Sequence, residues 1–306
     1  EYKVVSAPIA INGLVITGSN VSDNVRSDAP RGTVYAFDAR TGSLRWRFET
    51  IPQNPNDPAY ASWENESAHK TGAANVWSTM AADEERDLVF LPVATAAPDF
   101  WGGGRPGNNH YSSSLVALRA STGEVVWHYQ LVHHDIWDYD VSAPPLLITL
   151  TRDGMDIPAV VQNTKQGFVF IFNRETGEPL FPIEELPVPQ EALEGEWLSP
   201  TQPFPKPELR LIPTSVSVDD AWGFTFLDHN ACRARIASMK HGEIFTPPWT
   251  APGTIMMPGN AGGANWGGPA YDPERKLMIV NLNLVPQAIT MLPRDEIQVA
   301  KVGDVV

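Results

Sequence analysis

A strand, a polar turn containing Thr-Gly and a second strand ending in an aromatic recur three times, and that recurrence limits the folds open to this chain. The first copy runs from Thr33 to Trp46 around Thr41-Gly42, and the second from Ser114 to Trp127 around Thr122-Gly123. The third runs from Phe168 to Phe181 around Thr176-Gly177. In each, glycine supplies the positive φ that closes a tight hairpin. The terminal aromatic is placed to pack between neighbouring sheets. A second repeat leads from Gly72-Ala73-Ala74-Asn75-Val76-Trp77 to the pair around Asp83 and Leu91. Its copy leads from Gly262-Gly263-Ala264-Asn265-Trp266 to the pair around Asp272 and Val280. Asn12-Gly13, between Val4 to Ile9 and Leu14 to Thr17, marks a further hairpin.

Repeated antiparallel hairpins bearing tryptophan predict an all-β chain, a β-propeller of four-stranded antiparallel blades. At roughly 40–50 residues per blade, the 306 residues supply about five or six blades. The chain is read as one domain over 1–306, incomplete as a ring, with a Pro-rich excursion at about 187–213. The 28 prolines break long helices, and helical periodicity is weak throughout. Hydrophobic residues at 42% exclude global disorder. A formal charge of -14 repels nucleic acid and disfavours an anionic membrane surface. The single Cys232 excludes an internal disulfide framework and a cysteine-based zinc site. No run of apolar residues is long enough for a transmembrane helix, and no signal peptide opens the chain. Because Glu1 stands directly ahead of a strand-like run, the chain is expected to be a processed product or a piece of something longer.

The densest polar-aromatic cluster is His133-His134-Asp135-Ile136-Trp137-Asp138-Tyr139-Asp140. A carboxylate here can ligate a hard cation or take a proton from a substrate hydroxyl. The same residues also suit a solvated loop with structural Asp turns. Lys165, entering a core-like strand, can reach an anionic cofactor or an oxygen that gains charge during reaction; a surface lysine beside a tight turn is the alternative. Trp77 and Trp266 follow small residues, so an indole face can support a flat ring, or simply pack between blades. Asp23 and Asn24 offer oxygen atoms, or an Asx turn. No dinucleotide-binding glycine motif stands between a strand and a helix. The Gly102–Gly107 run lacks a Walker-type ending, and no nucleophile elbow appears.

The segment from Val132 to Asp140 resembles the pyrroloquinoline quinone (PQQ) dependent dehydrogenases, in particular the membrane-associated glucose dehydrogenase branch. So do Thr95-Ala96-Ala97-Pro98-Asp99-Phe100-Trp101-Gly102-Gly103, Thr201-Gln202-Pro203-Phe204, Phe245-Thr246-Pro247-Pro248 and the run from Pro258 to Gly268. The resemblance extends from about Ala7 to Arg294. It implies an eight-bladed propeller, of which the earliest blades are expected to be missing here. It implies that Asp138 is the catalytic base near the metal, and that Lys165 is the basic residue beside the quinone oxygens. By the same resemblance Trp77 is the aromatic floor under the cofactor. Asp23 and Asn24 form a polar pair near cofactor and metal. Thr95 stands near the metal, where the alcohol dehydrogenase branch has Asn. Asn265 and Trp266 contact the far side of the cofactor site. The implied cofactors are PQQ and Ca²⁺, with Mg²⁺ as the other candidate.

The implied reaction oxidises an alcohol, polyol or sugar hydroxyl in the periplasm, at the outer face of the inner membrane. Electrons pass to a membrane quinone or a cytochrome, since no haem-binding Cys-x-x-Cys-His occurs. A full-length relative could carry a membrane anchor. Two other readings share the repeats: a non-enzymatic propeller scaffold, and a carbohydrate-binding or glycoside-cleaving propeller with paired carboxylates.

Overall fold

The computed structural model describes residues 2–23 and 26–293. A short pair joins β1 (Tyr2–Lys3) to a strand met after the first hairpin. That hairpin is β2 (Ile9–Ile11) and β3 (Leu14–Thr17), and the partner of β1 is β4 (Asn20–Val21). With β5 (Val34–Asp38) and β6 (Leu44–Phe48), the hairpin makes a four-stranded antiparallel sheet in the order β2-β3-β5-β6. Asn12 and Gly13 both adopt positive φ, 49° and 78°, as a two-residue hairpin turn requires.

A second four-stranded sheet contains β7 (Ala81–Asp83), β8 (Leu88–Val93), β9 (Ser114–Arg119) and β10 (Val125–Gln130) in chain order. The third sheet has three strands, β11 (Leu146–Arg152), β12 (Met155–Asn163) and β13 (Val169–Asn173). After its Thr-Gly turn the chain makes only an isolated bridge, Phe172 with Pro179. Pro179 lacks the N–H a fourth strand needs, and Phe181 instead lies 4.8 Å beneath the Arg152 guanidinium.

The sheets stack as blades. All six residues of β8 are buried, because alternate side chains enter opposite layers. Val89, Leu91 and Val93 pack with Ile11, Ile16 and Val34 of the first sheet. Leu88 and Phe90 pack with Phe168, Phe170 and Phe172 towards the third. Each repeat tryptophan seals one joint. The Trp46 indole N–H donates to Ala120 O at 2.8 Å and its ring covers Gly123. The Trp127 indole N–H donates to Arg174 O at 2.8 Å and its ring covers Gly177. Gly42, Gly123 and Gly177 all take positive φ.

Gly177→Ala would place a methyl 2.6 Å from the Trp127 ring at a φ of 71°, whereas Gly154 has φ 78° with nothing within 4 Å. We expect Gly154→Ala to lose about 1 kcal/mol from left-handed strain alone. Gly177→Ala should lose about 2–4 kcal/mol, because overpacking is added. Urea midpoints compare the two, and equal losses would remove the tryptophan from the account.

The C-terminal half is less regular. β14 (Ile183–Pro187) pairs with β15 (Thr201–Pro205) inside what the sequence reads as a Pro-rich excursion. A 12-residue helix, α1 (Phe226–Ala237), follows. Its N-terminus is set by reciprocal bonds between Thr225 and Asp228. Ile236 is its one buried residue, so no apolar stripe announced it. β16 (Thr254–Met256) pairs with β19 (Gln287–Ile289), and β17 (Pro269–Asp272) pairs with β18 (Leu277–Val280). Among the described residues, then, two sheets are four-stranded and no ring closes. The later sheets among the described residues have two or three strands, so four-stranded blades are seen only in the N-terminal half.

Candidate functional site

The turn carrying Asp138 is built on Asp135. This buried carboxylate accepts from the Trp137 and Tyr139 amides at 2.9 and 3.0 Å, from the Ser113 hydroxyl at 2.9 Å, and from the Thr95 hydroxyl. The two aromatics anchor inward: the Trp137 indole donates to Thr246 O at 3.0 Å and the Tyr139 hydroxyl to Pro258 O at 2.6 Å. Asp138, between them, takes a φ of 56°. The imidazoles of the same segment are spent elsewhere. His133 contacts Glu185 at 3.1 Å, and buried His134 contacts Gly107 O at 2.8 Å. Desolvation holds His134 below its ordinary value.

Lys165 sits in the turn between β12 and β13, which Gly167 closes at φ 74°. Its Nζ donates to Asp138 O at 2.8 Å, Asp138 Oδ1 at 2.9 Å and Asp140 Oδ2 at 3.1 Å. Asp140 is also held by the Thr95 amide at 2.7 Å and by the half-buried Trp77 indole N–H at 3.2 Å. Asn260 donates to Asp138 Oδ2 at 2.9 Å. A glycine shelf backs the lysine: the Gly263 amide donates to Lys165 O at 2.6 Å, and a Cβ on Gly262 would fall 2.7 Å from Lys165 Cγ.

One ammonium among several carboxylates sets the electrostatics. Desolvation would raise Asp140, but Lys165 and the Thr95 amide outweigh it, so Asp140 is held below the usual carboxylate range. Desolvation would lower Lys165; Asp140 and Asp138 overcome it and raise the ammonium instead. Burial, then the Asp140 charge, lifts Asp138 to about 8 against the pull of Lys165. Burial, then the Asp140 charge, lifts Asp23 to about 6; burial, then Asp138, Asp23 and Asp140, lifts Asp99 to about 9.

In the unfolded chain these carboxyls ionise near pH ~4. The stability contributed by their retained protons is therefore complete below that pH and is lost as pH climbs through about 6, 8 and 9. Asp99→Asn should stabilise the cofactor-free chain at alkaline pH by on the order of 2 kcal/mol and change little near pH ~4. Thermal melts at the two pH values test this, and a pH-independent difference would sink it.

Of the residues singled out in the sequence, the structure gathers Asp138, Lys165, Trp77 and Thr95 into one hydrogen-bonded group, with Asp23 within electrostatic reach. Asn24 lies outside the described residues. Asn265 and Trp266 stand apart from the group: Asn265 bonds Ala261 O at 2.7 Å, and Trp266 is 70% exposed. Both line a 420 Å³ cavity with Ala261, Ala264 and Asn283. A 540 Å³ cavity opens elsewhere, among Arg31, Arg47, His69 and Lys70. Sequence reasoning missed Asn260, Asp99 and the clamping role of Asp140.

The donor chemistry suits a hard cation and a flat acidic cofactor. Every candidate metal ligand is oxygen, and the Trp77 indole N–H and the Lys165 ammonium meet on the same Asp140 carboxylate. Among the described residues no three His, Cys, Asp or Glu groups are gathered at metal-ligating spacing. The Thr95 hydroxyl is already engaged by Asp135 and Ser113.

Known proteins resemble this chain over nearly its whole length. Quinoprotein glucose dehydrogenase of Escherichia coli (strain K12) is 38% identical over 295 residues, 96% of this chain and 36% of that protein. The quinate/shikimate dehydrogenase (quinone) of Acinetobacter baylyi is 38% identical over 300 residues, again 96% and 36%. The chain thus spans little more than a third of these relatives. The solved quinohemoprotein alcohol dehydrogenase ADHIIG from Pseudomonas putida HK5 shares the fold, with a TM-score of 0.68 at 24% identity over 96% of this chain and 38% of that one. The family described as "PQQ: Glucose/ethanol/alcohol dehydrogenase, beta-propeller domain" matches residues 1–304. With two stacked four-stranded sheets and a lysine-centred carboxylate cluster, the chain belongs to this family of PQQ-dependent dehydrogenases.

Proposed function

We propose that this chain carries the reacting face of a PQQ-dependent dehydrogenase that oxidises an alcohol, polyol or sugar hydroxyl. The observation that carries the reading is the Lys165 ammonium bonded to both Asp138 and Asp140, with Trp77 on the same Asp140 carboxylate. PQQ supplies, when bound, a two-electron acceptor whose carbonyl a divalent cation, Ca²⁺ or Mg²⁺, polarises. Asp138 takes the proton of the substrate hydroxyl, and the amide of Asn260 keeps its carboxylate oriented for that transfer. Lys165 places positive charge where an oxygen becomes anionic. Trp77 offers a flat indole face, fixed through its N–H, on which a ring system is aligned. We assign the carboxylate oxygens of Asp138 and Asp23 to the cation, with Thr95 standing near it, and Asn265, Trp266 and Asn24 to the cofactor.

The reading extends to a periplasmic enzyme that passes its electrons to a membrane quinone or a cytochrome. Among the described residues no helix is long and apolar enough to cross a membrane. The test is titration of the full chain with PQQ and Ca²⁺, followed by tryptophan quenching and by alcohol-dependent reduction of an artificial dye. Saturable uptake with dye reduction is expected, and absence of uptake overturns the proposal.

A further inference from the structure

We propose that Asp99 binds a second, non-reacting hydroxyl of the substrate, which fits the site to polyols and sugars over simple alcohols. This rests on the dehydrogenase reading above and adds the substrate class to it. Asp99 is 5% exposed, and its Oδ1 is buried without a hydrogen-bond partner. The structural aspartates nearby behave differently. Asp135 accepts from two amides and two hydroxyls, and both oxygens of Asp140 are bonded. A buried acceptor left open is unfavourable unless a ligand or a water donates to it.

The residue before Asp99 is tied through Arg105 to the segment that bears Asp138, and the charges of Asp138, Asp23 and Asp140 reach the Asp99 carboxyl. Its placement is enforced by Arg105, which is 1% exposed. One guanidinium nitrogen, Nη2, donates to Pro98 O at 3.3 Å and to Asp135 O at 2.5 Å, while Nη1 donates to Asn109 Oδ1 at 2.8 Å. The residue preceding Asp99 and the turn bearing Asp138 are therefore fastened by a single donor. A polyol bound at Asp138 would find in Asp99 a second carboxyl whose oxygen lacks a donor. A neutral hydroxyl, which can both donate and accept, satisfies the open oxygen. A monoalcohol has no second hydroxyl to offer, and a site built to hydrogen-bond a hydroxyl discriminates against the analogue lacking it.

The experiment compares glycerol with 1-propanol, which have the same carbon count, on the full chain loaded with PQQ and Ca²⁺. Asp99→Ala should lower the ratio of kcat/KM for glycerol over 1-propanol by about tenfold or more. Asp99→Asn, which keeps hydrogen-bonding groups in the same volume, should restore most of that ratio. An unchanged ratio in Asp99→Ala overturns the proposal. A loss of Ca²⁺ affinity by calorimetry with the ratio unchanged also overturns it, by making Asp99 a metal ligand. Glycerol binding is measured separately by saturation-transfer NMR, without turnover. A wild-type chain that oxidises no alcohol defeats the dehydrogenase reading. In that case an Asp99-dependent glycerol signal still supports the hydroxyl site, and a signal indifferent to Asp99→Ala removes it.

Discussion

Asp138→Asn should lower turnover of the loaded chain by about 10²–10⁴-fold, the range a lost general base accounts for, with the fold intact. The substitution keeps the volume and leaves an oxygen for Lys165. The bonds that shape the turn come from Asp135 and do not involve the altered group. Burial and Asp140 lift the Asp138 carboxyl to about 8. Base catalysis therefore grows as pH rises through that value, and a bound cation moves the rise to lower pH by favouring the ionised form. The residual rate in Asp138→Asn should lose this rise. Steady-state rates across pH, with circular dichroism and PQQ retention as controls, check the expectation. Turnover near wild type would remove Asp138 from the chemistry.

Lys165→Ala should be the most destabilising single change at the site, by about 3–5 kcal/mol at pH 8, because it strips the counter-charge from buried carboxylates. Asp138 and Asp140 then face each other without the ammonium that bonds both. Protonation offers an escape, so the loss should shrink as pH falls towards the unfolded carboxyl range near pH ~4. Turnover should fall as well, since no other cation bonds either carboxylate among the described residues. Urea unfolding at pH 8 and near pH 4 is the measurement. A loss of equal size at both would show that packing of the lysine stem, not its charge, is what matters.

How much of this was legible beforehand depends on the reach of each interaction. The Thr-Gly hairpins and their tryptophans could be read because turn chemistry is local, and Gly42, Gly123 and Gly177 adopt the positive φ their turns demand. Asp138 and Asp140 fall within one short segment, so their density was visible. Asn260 reaches Asp138 across 122 residues, and nothing about a lone asparagine after Pro258-Gly259 signals such a contact. Asp99 stands in the family-like Thr95–Gly103 segment, but only its burial and the Arg105 bonds to Pro98 and Asp135 set it apart from its neighbours. The helix at Phe226–Ala237 was hidden for a different reason: it rests on a capping box at Thr225 and Asp228, not on a periodic apolar face. The third repeat reads like the first two, yet Pro179 denies it a fourth strand.

The strand Leu88–Val93 has a bearing on where this protein can be cut. Its alternate side chains are shared between the layers on either side, so the middle sheet has no core of its own to retain if a neighbour is removed. Deletion or circular permutation that severs the first sheet from the second, or the second from the third, should expose a full apolar wall and yield aggregation instead of a smaller stable unit. Amide exchange in the three sheets should accordingly proceed by one common opening, and not blade by blade.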